Sequence, residues 1–272
     1  MVHAYGGYYF YEASKMAIYK KRINEREPKL WMTGLGCVWD GRILRDGLHG
    51  RAVLHNDGQY ITAISVDDNT KLAEMGRPIE EDINDFKVLG NGQELVACLS
   101  DHYLWIFSYS VDPPSSQLLT NAMLEVYKEP DELGYSLALC PHSKFIAVST
   151  RNNDNDTLMR VLLFELDSAP MLSFRAGIDF IGHGISSLRS LEFFGYHKNH
   201  LLLMGLTCNH PQSTLMVFDF NDETGEFVEV EKLRKTFDFI YPYKLVYKGG
   251  VMYSSDNLDR VLKIAFNLKF LD

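Results

Sequence analysis

The side chains best suited to chemistry in this 272-residue chain are its nine histidines, four cysteines and a few clustered carboxylates. Two close Cys/His pairs, Cys140-Pro141-His142 and Cys208-Asn209-His210, hold between them the four N and S ligands of a tetrahedral zinc site. The first pair precedes an apolar run (145–150) and the second follows one (201–206), so the pattern does not bring them together. Asn152-Asn153-Asp154-Asn155-Asp156 is rich in oxygen and has the donor type that calcium takes. It lacks the central glycine and the distal glutamate of a standard calcium loop, and reads as a solvated hairpin tip. Asp67-Asp68, Asp101 and Asp256 recur at comparable turns, which gives acidic turn residues a repeated structural role and leaves open that several line one face. GxxxxGK[ST], GxSxG and HExxH are all absent, and Gly34-Leu35-Gly36 lacks the third glycine of a dinucleotide fingerprint. No catalytic, cofactor-binding or metal-ligating residue is assigned from the sequence, and no cofactor is expected.

Composition narrows the partners. A net charge of −9 argues against a nucleic-acid backbone binder, which carries a basic face. Lys20-Lys21-Arg22, Arg26 and Lys29 form a basic run that Glu25 and Glu27 interrupt, so it reads as a solvated hairpin. Glu80-Glu81-Asp82 with Asp85 reads as a solvated connection. Cys37, Cys98, Cys140 and Cys208 are far apart, without a CxxC, and three lie in or beside apolar runs, as expected of reduced thiols in an intracellular protein. The N-terminal stretch lacks a basic region followed by an apolar one, and no apolar run reaches the ~18 residues of a bilayer span. A soluble protein of the cytoplasm or nucleus is expected, without nucleic-acid partners or membrane insertion.

The elements that must position these residues repeat along the sequence. Tyr5-Gly6-Gly7 opens an apolar run, a polar turn and a second apolar run, and Lys248-Gly249-Gly250 opens the same sequence of events near the C-terminus. Similar units begin at Asn56-Asp57-Gly58, Asn91-Gly92, Pro141-His142-Ser143 and His197-Lys198-Asn199. With reference points at 7, 58, 92, 143, 198 and 249, the intervals are 51, 34, 51, 55 and 51. Six units in 272 residues average about 45 residues each, close to propeller repeats. Short continuous apolar runs such as Leu201-Leu202-Leu203-Met204 suit central strands covered on both faces, and Gly, Asn and Asp supply the positive φ of tight hairpins. Runs of four to eight residues are too short for typical helices. Residues 12–22 contain good helix formers, but their match to the last unit favours a strand pair.

Ser213-Thr214-Leu215-Met216-Val217-Phe218-Asp219 resembles the closing pattern of the WD40 family, with Phe218-Asp219 in the Trp-Asp place. Phe164-Glu165 and Phe266-Asn267 occupy equivalent places, Asp101-His102-Tyr103-Leu104-Trp105 is a looser variant, and Asn56-Asp57-Gly58 matches the upstream turn. The literal Trp39-Asp40 falls outside the repeat frame, and the single Gly-His, Gly182-His183, lies 36 residues before Phe218 (218 − 182), a long gap for that family. The double glycines are also similar to kelch repeats. The resemblance implies an all-β propeller of six blades, with seven as the alternative, closed by pairing of the N- and C-terminal strands. Residues 1–272 are expected to form one domain, with an irregular inter-blade excursion near 111–134 marked by Val111-Asp112-Pro113-Pro114. Two functions fit such a fold. One is a non-catalytic scaffold, or subunit of a multiprotein assembly, that binds proteins or peptides through its loops and faces. The other is a lactonase- or esterase-like hydrolase with a metal in the central channel, its ligands drawn singly from different blades.

Overall fold

The computed structural model describes the protein except residues 1, 5–6, 13–16, 23, 34–43, 47–51, 66, 90–94, 112–113, 141–144, 168–170, 198, 208–210, 239–240, 243–244, 249, 256–259 and 266–272. The described residues are almost wholly strand and turn. They divide into two compact units, Met1–Met123 and Leu124–Asp272.

The first unit holds three sheets. The strands of the first are β1 (Val2–Ala4), β2 (Gly7–Glu12), β3 (Ala17–Arg22) and β4 (Lys29–Thr33). The second contains β5 (Leu44–Asp46), β6 (Ala52–Asn56), β7 (Tyr60–Ser65) and β8 (Lys71–Gly76). The third contains β9 (Asp85–Leu89), β10 (Leu95–Leu99), β11 (Tyr103–Val111) and β12 (Pro114–Glu125). In the second unit, the fourth sheet comprises β13 (Glu132–Leu139), β14 (Phe145–Asn152), β15 (Leu158–Leu166) and β16 (Leu172–Asp179). The fifth comprises β17 (Leu188–His197), β18 (His200–Thr207), β19 (Ser213–Asn221) and β20 (Phe227–Glu229), with β21 (Lys235–Phe237) also pairing β19. The sixth comprises β22 (Val246–Lys248), β23 (Val251–Ser255) and β24 (Val261–Ala265). Apart from β21, which returns to β19, the strands of each sheet follow sequence order, the arrangement short hairpins produce.

Burial explains the apolar runs. β10 (Leu-Val-Ala-Cys-Leu) is buried at every position, and β18 at all but its first. Both faces of these central strands are covered, so they do not alternate. In the outer strand β16, by contrast, Leu172 and Ala176 are buried among exposed neighbours. Three apolar clusters join sheets face to face. Leu54, Ile61 and Met75 of the second sheet meet Phe86, Val96 and Trp105 of the third. Phe145, Val161 and Leu163 of the fourth meet Leu191, Met216 and Phe218 of the fifth. Leu202, Met204 and Val217 of the fifth meet Met252, Leu262 and Ile264 of the sixth. Burying each large apolar side chain fully stabilises the fold by roughly 1.5–3 kcal/mol.

Two features differ from the sequence reading. In five sheets the repeat's reference turn joins the first and second strands, but Asn56-Asp57-Gly58 joins β6 to β7, the second and third. The equivalent link is at 47–51, outside the described residues, and using it removes the 51/34 irregularity. Asn-Asp-Gly drew the frame one strand too far because it makes a strong turn of its own. Asp57 Oδ1 accepts the Gln59 and Tyr60 N–H groups at 2.9 and 2.8 Å, and Gly58 has φ 99°. The stretch near 111–134 contains the 12-residue strand β12, which begins at Pro114. Proline is tolerated at the first residue of an outer strand, where no ladder donor is lost. Residues 17–22 are strand, as the match between the end units anticipates. β1 pairs with β2, and among the described residues the expected pairing of N- and C-terminal strands is not found; residues 266–272 lie outside them.

Candidate functional site

The polar side chains that gather in this fold do so where the connection between two sheets meets a turn between second and third strands. In the first unit the connection from β8 to β9 returns to the second sheet. Ile83 N–H donates to the Gly58 carbonyl at 2.7 Å, and Asn56 Nδ2 donates to the Ile83 carbonyl at 3.0 Å. The same connection is held to the third sheet by Glu81. Ser100 Oγ donates to its Oε2 at 2.6 Å, His102 N–H donates to Oε2 at 3.0 Å, and His102 Nδ1 lies 2.6 Å from Oε1. Asn84 Nδ2 donates to Asp101 Oδ1 at 2.7 Å beside it. Burial pushes the Glu81 carboxyl up, but the bonds from Ser100 and His102 outweigh it and hold the group below the usual carboxylate range.

Serine, histidine and carboxylate together invite a catalytic reading, but the order is wrong for a hydrolase. A nucleophilic serine gives its proton to a histidine that the carboxylate orients. Here Ser100 Oγ donates to the carboxylate, accepts the Tyr103 N–H at 3.1 Å, and is fully buried. This arrangement clasps loops and does not activate a nucleophile.

The second unit repeats the device with other residues. Asp156, at φ 54° in the β14–β15 turn, accepts from Arg151 Nη1 at 2.8 Å and from Ser187 Oγ at 3.1 Å, Ser187 lying in the β16–β17 connection. Leu158 N–H donates to the Ile185 carbonyl and Ser187 N–H to the Asp156 carbonyl, at 2.5 and 3.0 Å. Within this turn Asn152 Oδ1 accepts the Asp154 and Asn155 N–H groups, and Asn155 Oδ1 accepts from Thr157. Asp68 behaves likewise toward Thr70. Among the described residues no group of three or more His, Cys, Asp or Glu side chains converges. Cys140 is buried, whereas His142 and the Cys208-Asn209-His210 group lie outside the described residues, as do Gly34-Leu35-Gly36, Cys37, Trp39-Asp40, Asp256 and Phe266-Asn267. Phe164, Phe218 and Trp105 all lie on the third strands of their sheets.

A second polar grouping has no motif to mark it. Glu132 and Arg160 are buried at 0% and 3% exposure and joined by an ion pair, and Thr150 Oγ1 donates to Glu132 Oε1 at 2.5 Å. The partners lie 18 and 28 residues from Glu132 in sequence, and one sits in an apolar run, so no local signal announces them.

The second unit also contains a cleft of about 260 Å³ between the β16–β17 connection and the fifth sheet. Ile185 and Ser186 form one wall, and Thr207, Thr214 and Thr236 the other. Met216 and Arg234 also line it. Thr214 and Thr236 are register partners on β19 and β21, with hydroxyls 3.1 Å apart, and Thr207 Oγ1 accepts the Thr214 N–H at 2.7 Å. Gly182 and Gly184, at φ 80° and 63°, allow the connection to fold over so that His183 N–H reaches the Phe180 carbonyl at 3.0 Å.

Neither a protein-family model nor a curated protein sequence matches this chain. Solved structures do. A component of the mitotic checkpoint complex is 13% identical with a TM-score of 0.60, over 94% of this chain and 69% of that one. Sqt1 of Saccharomyces cerevisiae is 9% identical with a TM-score of 0.57, over 97% and 81%. A Bacteroides uniformis protein provisionally assigned as a 6-phosphogluconolactonase is 15% identical with a TM-score of 0.63, over 95% and 77%. At these identities the likeness concerns fold alone. The chain is an all-β protein of the β-propeller class.

Proposed function

We propose that the protein is a non-catalytic scaffold or assembly subunit, built as one closed six-bladed propeller of WD40-like repeats, that binds other proteins through its loop surfaces. The observation that carries this reading is the exposure of large apolar side chains at turns and connections, with the backbone around Tyr60 and Ile181 held by hydrogen bonds. Tyr60 closes the turn fixed by Asn56 and Asp57, and is 41% exposed. Ile181, 44% exposed, belongs to the connection clasped by Asp156, and Tyr241, 42% exposed at φ 48°, lies between β21 and β22. A pre-ordered aromatic or aliphatic side chain in water is a low-entropy anchor for a partner. The checkpoint-complex component, part of a multiprotein assembly, supports the same reading by fold. Among the described residues no helix is long and apolar enough to cross a membrane, and a cytoplasmic or nuclear setting fits this role. The test is purification at endogenous level with chemical crosslinking. Stoichiometric partners crosslinked near these loops, and reduced by Tyr60→Ala, Ile181→Asp and Tyr241→Ala, are expected. A protein that purifies alone refutes the reading.

The alternative, a lactonase- or esterase-like hydrolase with a channel metal, draws support from the likeness to the Bacteroides uniformis protein. Calorimetric titration of chelator-treated protein separates the two. Saturable heat with calcium or zinc, together with ester or lactone hydrolysis, favours the enzyme.

A further inference from the structure

We propose that the cleft between the β16–β17 connection and the fifth sheet is a receptor for a carboxylate carried by a partner protein, either its C-terminal carboxylate or an acidic side chain. The inference rests on the scaffold reading and adds the chemistry of what is bound. Arg234 supplies the only formal charge among the described lining residues. Its Nε and Nη2 grip the two Glu229 oxygens at 2.8 and 2.7 Å, and the Glu229 side chain is only 8% exposed, so the guanidinium is anchored in one orientation. A two-point fork of this kind occupies one edge of the guanidinium and leaves the Nη1 edge for another acceptor. Around it, Ser186, Thr214 and Thr236 present hydroxyls and Ile185 supplies apolar surface, with the buried Thr207 and Met216 completing the lining.

Size and charge select the ligand. A volume of about 260 Å³ is below the ~300–1,000 Å³ of sites for drug-sized molecules and suits a group of one amino acid's size. A phosphate dianion is ordinarily met by a cluster of arginines, whereas here one cation already shares its charge with Glu229. A singly charged carboxylate needs only a guanidinium edge and a few hydroxyl donors, and the short apolar stem that bears it fits against Ile185. The walls are positioned in advance. The Ser186 side is held by the Leu158–Ile185 and Ser187–Asp156 hydrogen bonds, and the threonine side by β-sheet pairing of β19 with β21.

The test uses the full-length protein with methyl-labelled Met and Thr, titrated by NMR with three probes: N-acetylalanine for a C-terminus, N-acetylaspartate blocked as its α-amide for an acidic side chain, and N-acetylalaninamide as neutral control. Saturable shifts of the Met216, Thr207, Thr214 and Thr236 methyls with one or both carboxylates, and none with the amide, are expected. The carboxylate that binds more tightly identifies the source. Arg234→Gln should weaken binding by about tenfold or more, the loss of one charge-assisted hydrogen bond. Because Arg234→Gln also strips Glu229 of its partner, Thr236→Val serves as the second variant; it keeps the shape, removes one exposed hydroxyl, and should weaken binding about fivefold. Unmoved methyls, equal shifts with the amide, or native affinity in both variants overturns the proposal. Failure here with protein partners still retained overturns this inference alone. Carboxylate binding by a protein that retains no partner overturns the scaffold reading and, with it, the source assigned here.

Discussion

Replacing Glu132 by alanine removes the acceptor at the centre of the buried charge network and leaves Arg160 in the core without its principal counter-ion. Glu132 accepts from Arg160 Nη1, from Thr150 Oγ1, and from the Lys128 and Glu129 N–H groups, the last two at 2.7 and 3.3 Å. Breaking a buried pair from one side costs about 3–5 kcal/mol, because the surviving charge stays desolvated. Arg160 retains Asp179 at 2.9 Å and Glu129 at 3.5 Å, but those side chains are 66% and 50% exposed and screened by water. The expected loss is therefore at the lower end, about 3 kcal/mol. For a protein of this size that is a fall in Tm of roughly 6–12 °C. Exchanging both partners for apolar residues, Glu132→Leu with Arg160→Met, removes the stranded charge and should return stability to within about 1 kcal/mol of native. All three tryptophans, Trp31, Trp39 and Trp105, belong to the first unit, so far-UV circular dichroism in urea is the proper readout for a change in the second. A Glu132→Ala loss below about 1 kcal/mol, or a double variant as unstable as the single one, would show that the pair is not buried as described.

Other expectations follow from burial and contact. Gly205→Ala places a methyl 2.8 Å from Leu188 Cδ1 and 3.2 Å from Leu191 Cδ2, both in fully packed side chains, and should destabilise by about 1–3 kcal/mol in thermal unfolding. His55 is buried at 2% exposure; desolvation lowers its pKa, against a smaller opposing effect from Asp57. As pH falls, the unfolded state therefore takes up the His55 proton first. This contribution to stability is complete above the ordinary histidine value of 6.5 and is lost as pH falls through the lower folded-state pKa. His55→Gln should flatten that part of a stability-versus-pH curve, and an unchanged slope refutes the assignment. Cys98 is fully buried, and desolvation together with Asp85 pushes its thiol well above the usual range. Maleimide labelling followed by peptide mapping should find it unmodified in native protein and modified after denaturation.

Much of the architecture was legible because it rests on local chemistry. Gly-Gly before Tyr8 and Val251, and apolar runs such as Leu201-Leu202-Leu203-Met204, announce hairpins and doubly covered strands in their own letters. Errors arose where a local signal was true but belonged to another place in the sheet. Asn56-Asp57-Gly58 is a genuine turn one strand later than its counterparts, and Pro114 begins the long outer strand β12. The polar groupings were hidden for a different reason. Glu81 meets residues 19 and 21 positions away, and Ser187 reaches Asp156 across 31, so only the pairing of strands brings them together. Arg234 and the four hydroxyl residues lining the cleft come from four separate segments and form no motif.

The clasps between connections and turns also order the way the molecule opens. The Ile83 amide is tied to one sheet while the next residue, Asn84, donates its own amide to Leu99 of the following one. Releasing that short stretch exposes the margins of two sheets at once, so neither can fray alone. Protons on Ile83 and Asn84 should exchange with solvent at a common rate, and the second unit should show the same coupling between Leu158 and Ser187. A polar stitch at the rim thereby makes neighbouring layers share one opening event.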